Sequence, residues 1–221
     1  MNKKLVLGLA ALTILFSLAV SGCSVKKSGL PTPTKVVSTN IDKKLVKSTV
    51  KDTSTVSFVQ LKYIVTSMPA NTNIELNTPW ETSPSGDFKA TVEGKGEKAA
   101  EEGYSHITIE DKKTGEFIKL TMENEEKYML TAKDLEWMDE SNLFVIIGQP
   151  FGTISKGGNI YKVNVKTGET SLYASATNAK EEFTTVHKAA SGSGFTFEKY
   201  VYDDDNYTKG HIESGNLYKL Q

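Results

Sequence analysis

The sequence predicts an all-β outer domain, residues 56–221, built of tandem four-stranded antiparallel sheets in about three units. Three observations carry this reading. Apolar residues alternate with polar ones at a period of two, as in "HITIED" with Ile107 and Ile109 on one face and "NIYKVNV" with Tyr161, Val163 and Val165 on one face. Short turn signals, "SPSGD", "KKTGE", "DESN" and "KTGE", separate the runs and offer Gly, Asn or Asp where a hairpin needs them. The chain also aligns on itself at a spacing of 54 residues, with "SPSGDFKATVEG" (83–94) lying over "WMDESNLFVIIG" (137–148). A period of that size marks stacked supersecondary units rather than an ordinary globule.

Each element follows in order. The opening segment 56–67, "VSFVQLKYIVTS", is ambiguous: Phe58, Leu61, Val65 and Met68 would stripe a helix, but the Val, Ile, Phe and Tyr content favours a strand. In the first unit Ala90 and Val92 lie on a strand after the "SPSGD" turn, and 106–111 forms the next strand. In the second, "LFVII" (143–147) is apolar on both faces, the mark of a strand inside a stack of sheets. At the 54-residue offset Ile107 falls on Tyr161 and His106 on Ile160; "KTGE" recurs at 53, which reads as one extra lysine in the first turn. "GGNIYKV" (157–163) is echoed by "SGNLYKL" (214–220), taken as the third unit's entry. That unit would lack its last strand. Because open apolar edges invite aggregation, the 56–67 segment is expected to pair with the terminal strand and tie the chain's ends together.

The pattern "SPSGDFKATV … HITIEDKKTGEFIKLT", repeated as "DLEWMDESNLFVIIG … GGNIYKVNVKTGETSLY", resembles the blades of TolB-type and prolyl-oligopeptidase-type β-propellers. The resemblance implies a partial propeller-like arc of about three units, where closed propellers use four or more blades: either the 56–67 segment supplies the strand missing from the last unit, or the blades form an open arc capped at its ends, or two chains complete one ring. The whole is also similar to an uncharacterised family of bacterial lipoproteins that carry a domain of unknown function.

Lys3 and Lys4, the apolar run 5–20 and "VSGCS" have the layout of a secretory signal peptide, residues 1–22. "VSGC" resembles the lipobox of bacterial lipoproteins. That resemblance implies cleavage before Cys23, its acylation, and a chain held at the extracytoplasmic face of the cell membrane by a lipid anchor. Cys23 is the single cysteine, so no intrachain disulfide can form and the fold must rest on its core. Residues 23–55 hold seven lysines against two acids and little apolar content, a disordered tether that reads as a solvated spacer. From 56 onward seventeen lysines face twenty-five acids, a net charge of −8 that disfavours nucleic acid. There is no arginine, and hence no bidentate guanidinium clamp.

No catalytic residue, metal ligand or cofactor site is identified. His106, His187 and His211 lack ligand spacing. "FGTISKGGN" has Gly158 and Asn159 where a P-loop needs Lys and Ser or Thr, and "SGSGF" is not a nucleophile elbow. In "YDDDNYTKGHIE", Asp203 and Asp205 could donate oxygens to calcium, but the remaining EF-hand positions do not match, and the stretch reads as a solvated hairpin end. What remains is geometry. The loops 94–106 and 148–159 occupy equivalent places in their units and should share one end of the domain, where Tyr104, Gln149 and Phe151 are the candidate partner-binding residues. The expected function is a membrane-anchored binding or scaffolding ectodomain with a protein or cell-envelope ligand. The rival is a cell-surface hydrolase or metal-dependent enzyme uniting His187, His211 and Asp203.

Overall fold

The computed structural model describes residues 60–152 and 154–217. Cys23, the signal peptide 1–22, the tether 23–55 and the start of the 56–67 segment lie outside the described residues. Twelve strands and one helical turn follow in order: β1 (Tyr63–Met68), β2 (Glu81–Thr82), β3 (Phe88–Glu93), β4 (His106–Asp111), β5 (Phe117–Met122), α1 (Glu125–Tyr128), β6 (Thr131–Asp139), β7 (Asn142–Gly148), β8 (Asn159–Asn164), β9 (Thr170–Ala174), β10 (Glu181–Lys188), β11 (Phe195–Tyr202) and β12 (Gly210–Leu217). They form three antiparallel sheets: β1-β5-β4-β3-β2, then β6-β7-β8-β9, then β10-β11-β12. The domain is all-β, as expected, but only the middle sheet has four strands.

The alternation along β3 explains the first sheet. Ala90 and Val92 are fully buried on one face with Ile107, Ile109 and Leu120, while Lys89 and Glu110 pair on the other at 2.8 Å. The buried face packs against the middle sheet through Ala132, Leu135, Trp137, Leu143, Val145 and Ile147. The opposite face of the middle sheet, Phe144, Ile146 and Ile160, forms a second core with Phe183, Val186, Phe195 and Leu217. Strand β7 therefore serves two cores, which is why "LFVII" is apolar at every position.

The turns between β4 and β5 and between β8 and β9 are the same object. Asp111 Oδ1 accepts the N–H groups of Lys113 and Thr114, and Asn164 Oδ1 accepts those of Lys166 and Thr167. Gly115 and Gly168 follow at φ 74° and 70°. The turns are equal in length, so the first holds no extra lysine; the 53-residue spacing arises in the preceding loop. Val92 faces Ile107 as Ile146 faces Ile160, so Ile107 corresponds to Ile160 and His106 to Asn159, one residue off the expected alignment. The "SGNLYKL" echo also fails. Asn159 opens β8 opposite Ile147, whereas Asn216 lies near the close of β12 opposite Thr196.

The opening segment is a strand, but its partner is not the terminal one. β1 pairs with β5 in six rows from Tyr63↔Met122 to Met68↔Phe117, and β12 pairs with β11 alone among the described strands. The reason lies in its buried face. Leu61 and Tyr63 sink into the first core, and the Tyr63 N–H donates to the Gly168 carbonyl at 2.9 Å. A Cβ on Gly168 would collide with the Tyr63 carbonyl oxygen, so this junction of the first two sheets needs a glycine.

Candidate functional site

The loops 94–105, 149–158 and 203–209 each join the second strand of the repeated hairpin to the third. The first two are tied together as the sequence suggested. The Gly103 N–H donates to Pro150 O at 2.8 Å, the Gly152 N–H to Glu102 Oε1 at 3.2 Å, and Tyr104 and Phe151 meet edge to face at 5.5 Å. Tyr104 Oη donates to Met129 Sδ at 3.4 Å. Phe151 and Met129 remain 46% and 49% exposed, and Gln149 is also exposed, so an apolar patch stands on this end of the domain. Strand β11 reaches the second loop: Tyr202 Oη donates to the Ile154 carbonyl, and Lys156 Nζ sits 4.2 Å from the centre of the Tyr200 ring.

Next to the aromatic pair lies a cavity of about 390 Å3 lined by Lys95, Lys98, Lys133 and Lys156, with Glu101 and Glu102. Lys95 is only 2% exposed; its Nζ donates to the carbonyls of Glu101, at 3.0 Å, and Gly103, and so closes the first loop. Lys133 Nζ donates to Ser155 O at 2.9 Å and holds the second loop. Burial, and then the like charge of Lys133, pushes the Lys95 ammonium down to about 8; burial also lowers Lys133. Among the described residues none of these four lysines forms an ion pair with a carboxylate. A second cavity, of about 360 Å3, shares Lys98, Ala99 and Lys156 and adds Asp134, Thr184 and Thr185.

Behind the cavities, alternate residues of β6 reach alternate N–H groups of β10. Asp134 Oδ2 accepts from Val186 at 3.3 Å and Glu136 Oε2 from Lys188 at 3.0 Å. Burial raises Asp134 to about 6, against the lowering effect of that N–H and of His187. Glu81 is raised by burial and then by Glu136.

The rival enzyme site is not assembled. His187, in β10, faces Thr196, while His211, in β12 at the opposite edge of the sheet, faces Val201. His211 Nδ1 does meet Asp203 Oδ1 at 2.8 Å. Of the neighbouring acids, Asp204 accepts the N–H groups of Asn206, Thr208 and Lys209 and shapes the turn, and Asp205 pairs with Lys180. No group of three His, Cys, Asp or Glu among the described residues is placed to hold a metal. The sequence reading named Tyr104, Gln149 and Phe151 but not the ring contact between Tyr104 and Phe151, and it missed Lys95, Lys98, Lys133 and Lys156. Its one local signal was "GKGEK", two lysines between glycines in a loop longer than a hairpin needs.

A family model described as a domain of unknown function, DUF4652, matches residues 32–218. A crystal structure from Clostridium novyi NT, classed by inference as a conserved lipoprotein, is 30% identical with a TM-score of 0.65, covering 71% of this chain and 95% of that one. No curated protein matches the chain significantly in sequence. Among the described residues no helix is long and apolar enough to cross a membrane.

Proposed function

The chain belongs to the DUF4652 family, and from that premise we propose that it is a lipid-anchored surface lipoprotein whose β-domain binds or scaffolds a cell-envelope ligand. In this reading residues 1–22 are the signal peptide, Cys23 is acylated after cleavage before it, 23–55 is the tether and 56–221 is the binding domain at the extracytoplasmic face. The clostridial relative, itself classed as a lipoprotein, supports the anchor. The three sheets are read as a propeller-like arc, supported by their successive packing through two cores. One observation carries the binding function: loops from successive sheets converge on a cavity flanked by the Tyr104–Phe151 pair, on a rigid β-scaffold. Tyr104, Phe151 and Gln149 make the contacts.

Two measurements test it. In the native host Cys23→Ser is expected to release the protein into the medium; retention at the membrane would refute the anchor. Full-length protein is expected to capture a defined envelope component, and Tyr104→Ser with Phe151→Ser is expected to abolish the capture. Undiminished capture by that variant would refute the loop face as the binding surface.

A further inference from the structure

We propose that the cavity between the first and second loops takes a small oxyanion, a carboxylate or phosphoryl group carried by the ligand. The inference rests on the binding reading above and names the chemistry of its site. Lys95, Lys98, Lys133 and Lys156 come from three separate segments and converge on one cavity. They do so in a domain whose net charge from residue 56 is −8. None of the four has a carboxylate within ion-pair distance among the described residues, and Lys95 is buried where the cavity meets the first loop.

Two of the ammonium groups, Lys95 and Lys133, are desolvated and repel each other, an effect that Glu101 and Glu102 beside Lys95 and Glu182 beside Lys133 oppose only in part. The carbonyls of Glu101, Gly103 and Ser155 offset this only in part, since they are dipoles rather than charges. Glu101 and Glu102 also line the cavity, where Glu102 Oε1 accepts the Gly152 N–H, so the lining holds four lysines against two carboxylates. An oxyanion would balance the remaining excess of positive charge. Lysine ammoniums act as point charges and do not demand the planar fork geometry that arginine does, which suits a single compact group. The adjoining cavity adds Thr185 Oγ1, a buried hydroxyl without a hydrogen-bond partner, within reach of a ligand that extends past Lys98 and Lys156.

The test is calorimetric titration of detergent-solubilised full-length protein with inorganic phosphate in one arm and citrate in the other. Saturable binding at one site is expected from at least one anion, and the arm that binds assigns the phosphoryl or the carboxylate source. Lys98→Met with Lys156→Met removes two exposed lysines whose ammonium groups donate no hydrogen bond to either loop, and methionine keeps an apolar contact with Tyr200, so the fold should be spared; binding is expected to weaken by about tenfold or more. Lys162→Met with Lys166→Met, outside the cavity, is expected to change nothing. Binding is also expected to weaken from pH 7 to pH 9, as Lys95, pushed down to about 8, loses its proton. No saturable binding of either anion, or equal weakening in both double variants, would overturn the proposal. If neither anion binds while Tyr104 and Phe151 substitutions still abolish envelope capture, the oxyanion is refuted and the binding reading stands.

Discussion

At the scale of the residue, Asp134 carries a pH dependence whose sign is set by its surroundings. Burial raises its carboxyl to about 6 in the folded protein, above the ordinary carboxylate range of the unfolded chain. A raised folded value means that the folded state holds the proton more tightly. The associated stability is therefore fully present below about pH 4 and is lost as pH rises through about 6. The loss at neutral pH is on the order of 3 kcal/mol. An asparagine in place of the acid would keep an oxygen for the Val186 N–H without the buried charge. Asp134→Asn is thus expected to be more stable than the parent at pH 7 by roughly that amount, with a flatter profile from pH 4 to 8. Urea midpoints across that range check it; parallel profiles would show that Asp134 does not titrate as described. The sequence did not reveal this group, because burial of one acid among the twenty-five from residue 56 onward is a tertiary fact.

At the scale of the element, β7 was the most legible part of the chain. Five consecutive apolar residues cannot satisfy a sheet with one wet face, so "LFVII" predicted its two-sided burial. The same strand supplies a stability test. Ile146 is fully buried in the second core, so Ile146→Ala is expected to cost about 2–5 kcal/mol. Ile212, 58% exposed on β12, should lose no more than about 0.5 kcal/mol on the same change. Comparable losses at both sites by denaturant unfolding would contradict the two-core description. The Lys-Thr-Gly-Glu turns were legible in kind, since their chemistry is local (an Asx oxygen, two N–H groups and a glycine at positive φ), but not in length, because the first was read with one lysine too many. Register was not. A loop one residue shorter in the second unit shifts β8 against β4, and only the rows across the sheet reveal where the residue is missing. The lysine cavity was hidden for a related reason, since its residues come from separate segments with no common spacing.

At the scale of the whole molecule, the sequence indicated tandem antiparallel sheets but not their strand counts of five, four and three. The fifth strand of the first sheet is β1, whose residues favour a strand but do not name its neighbour. Its place follows from burial: Leu61 and Tyr63 are 3% and 1% exposed in the first core. Removing residues up to 68 is therefore expected to abolish cooperative thermal unfolding, while removal only up to 54 leaves the transition unchanged. If both truncations melt alike, β1 is dispensable and its docking is incidental.

The two-sided middle sheet has a consequence for the history of the chain. The first sheet turns the Lys89–Glu110 pair outward and the third exposes Ile212 on its last strand, but the middle sheet contributes to a core on each face. The outer two thus behave as end caps, and the middle one as the only interior unit among the described residues. A longer relative could arise by duplicating the interior unit, because a copy would present the same two faces to its neighbours. A shorter one could not arise by trimming the third sheet, which would leave Phe144, Ile146 and Ile160 facing water.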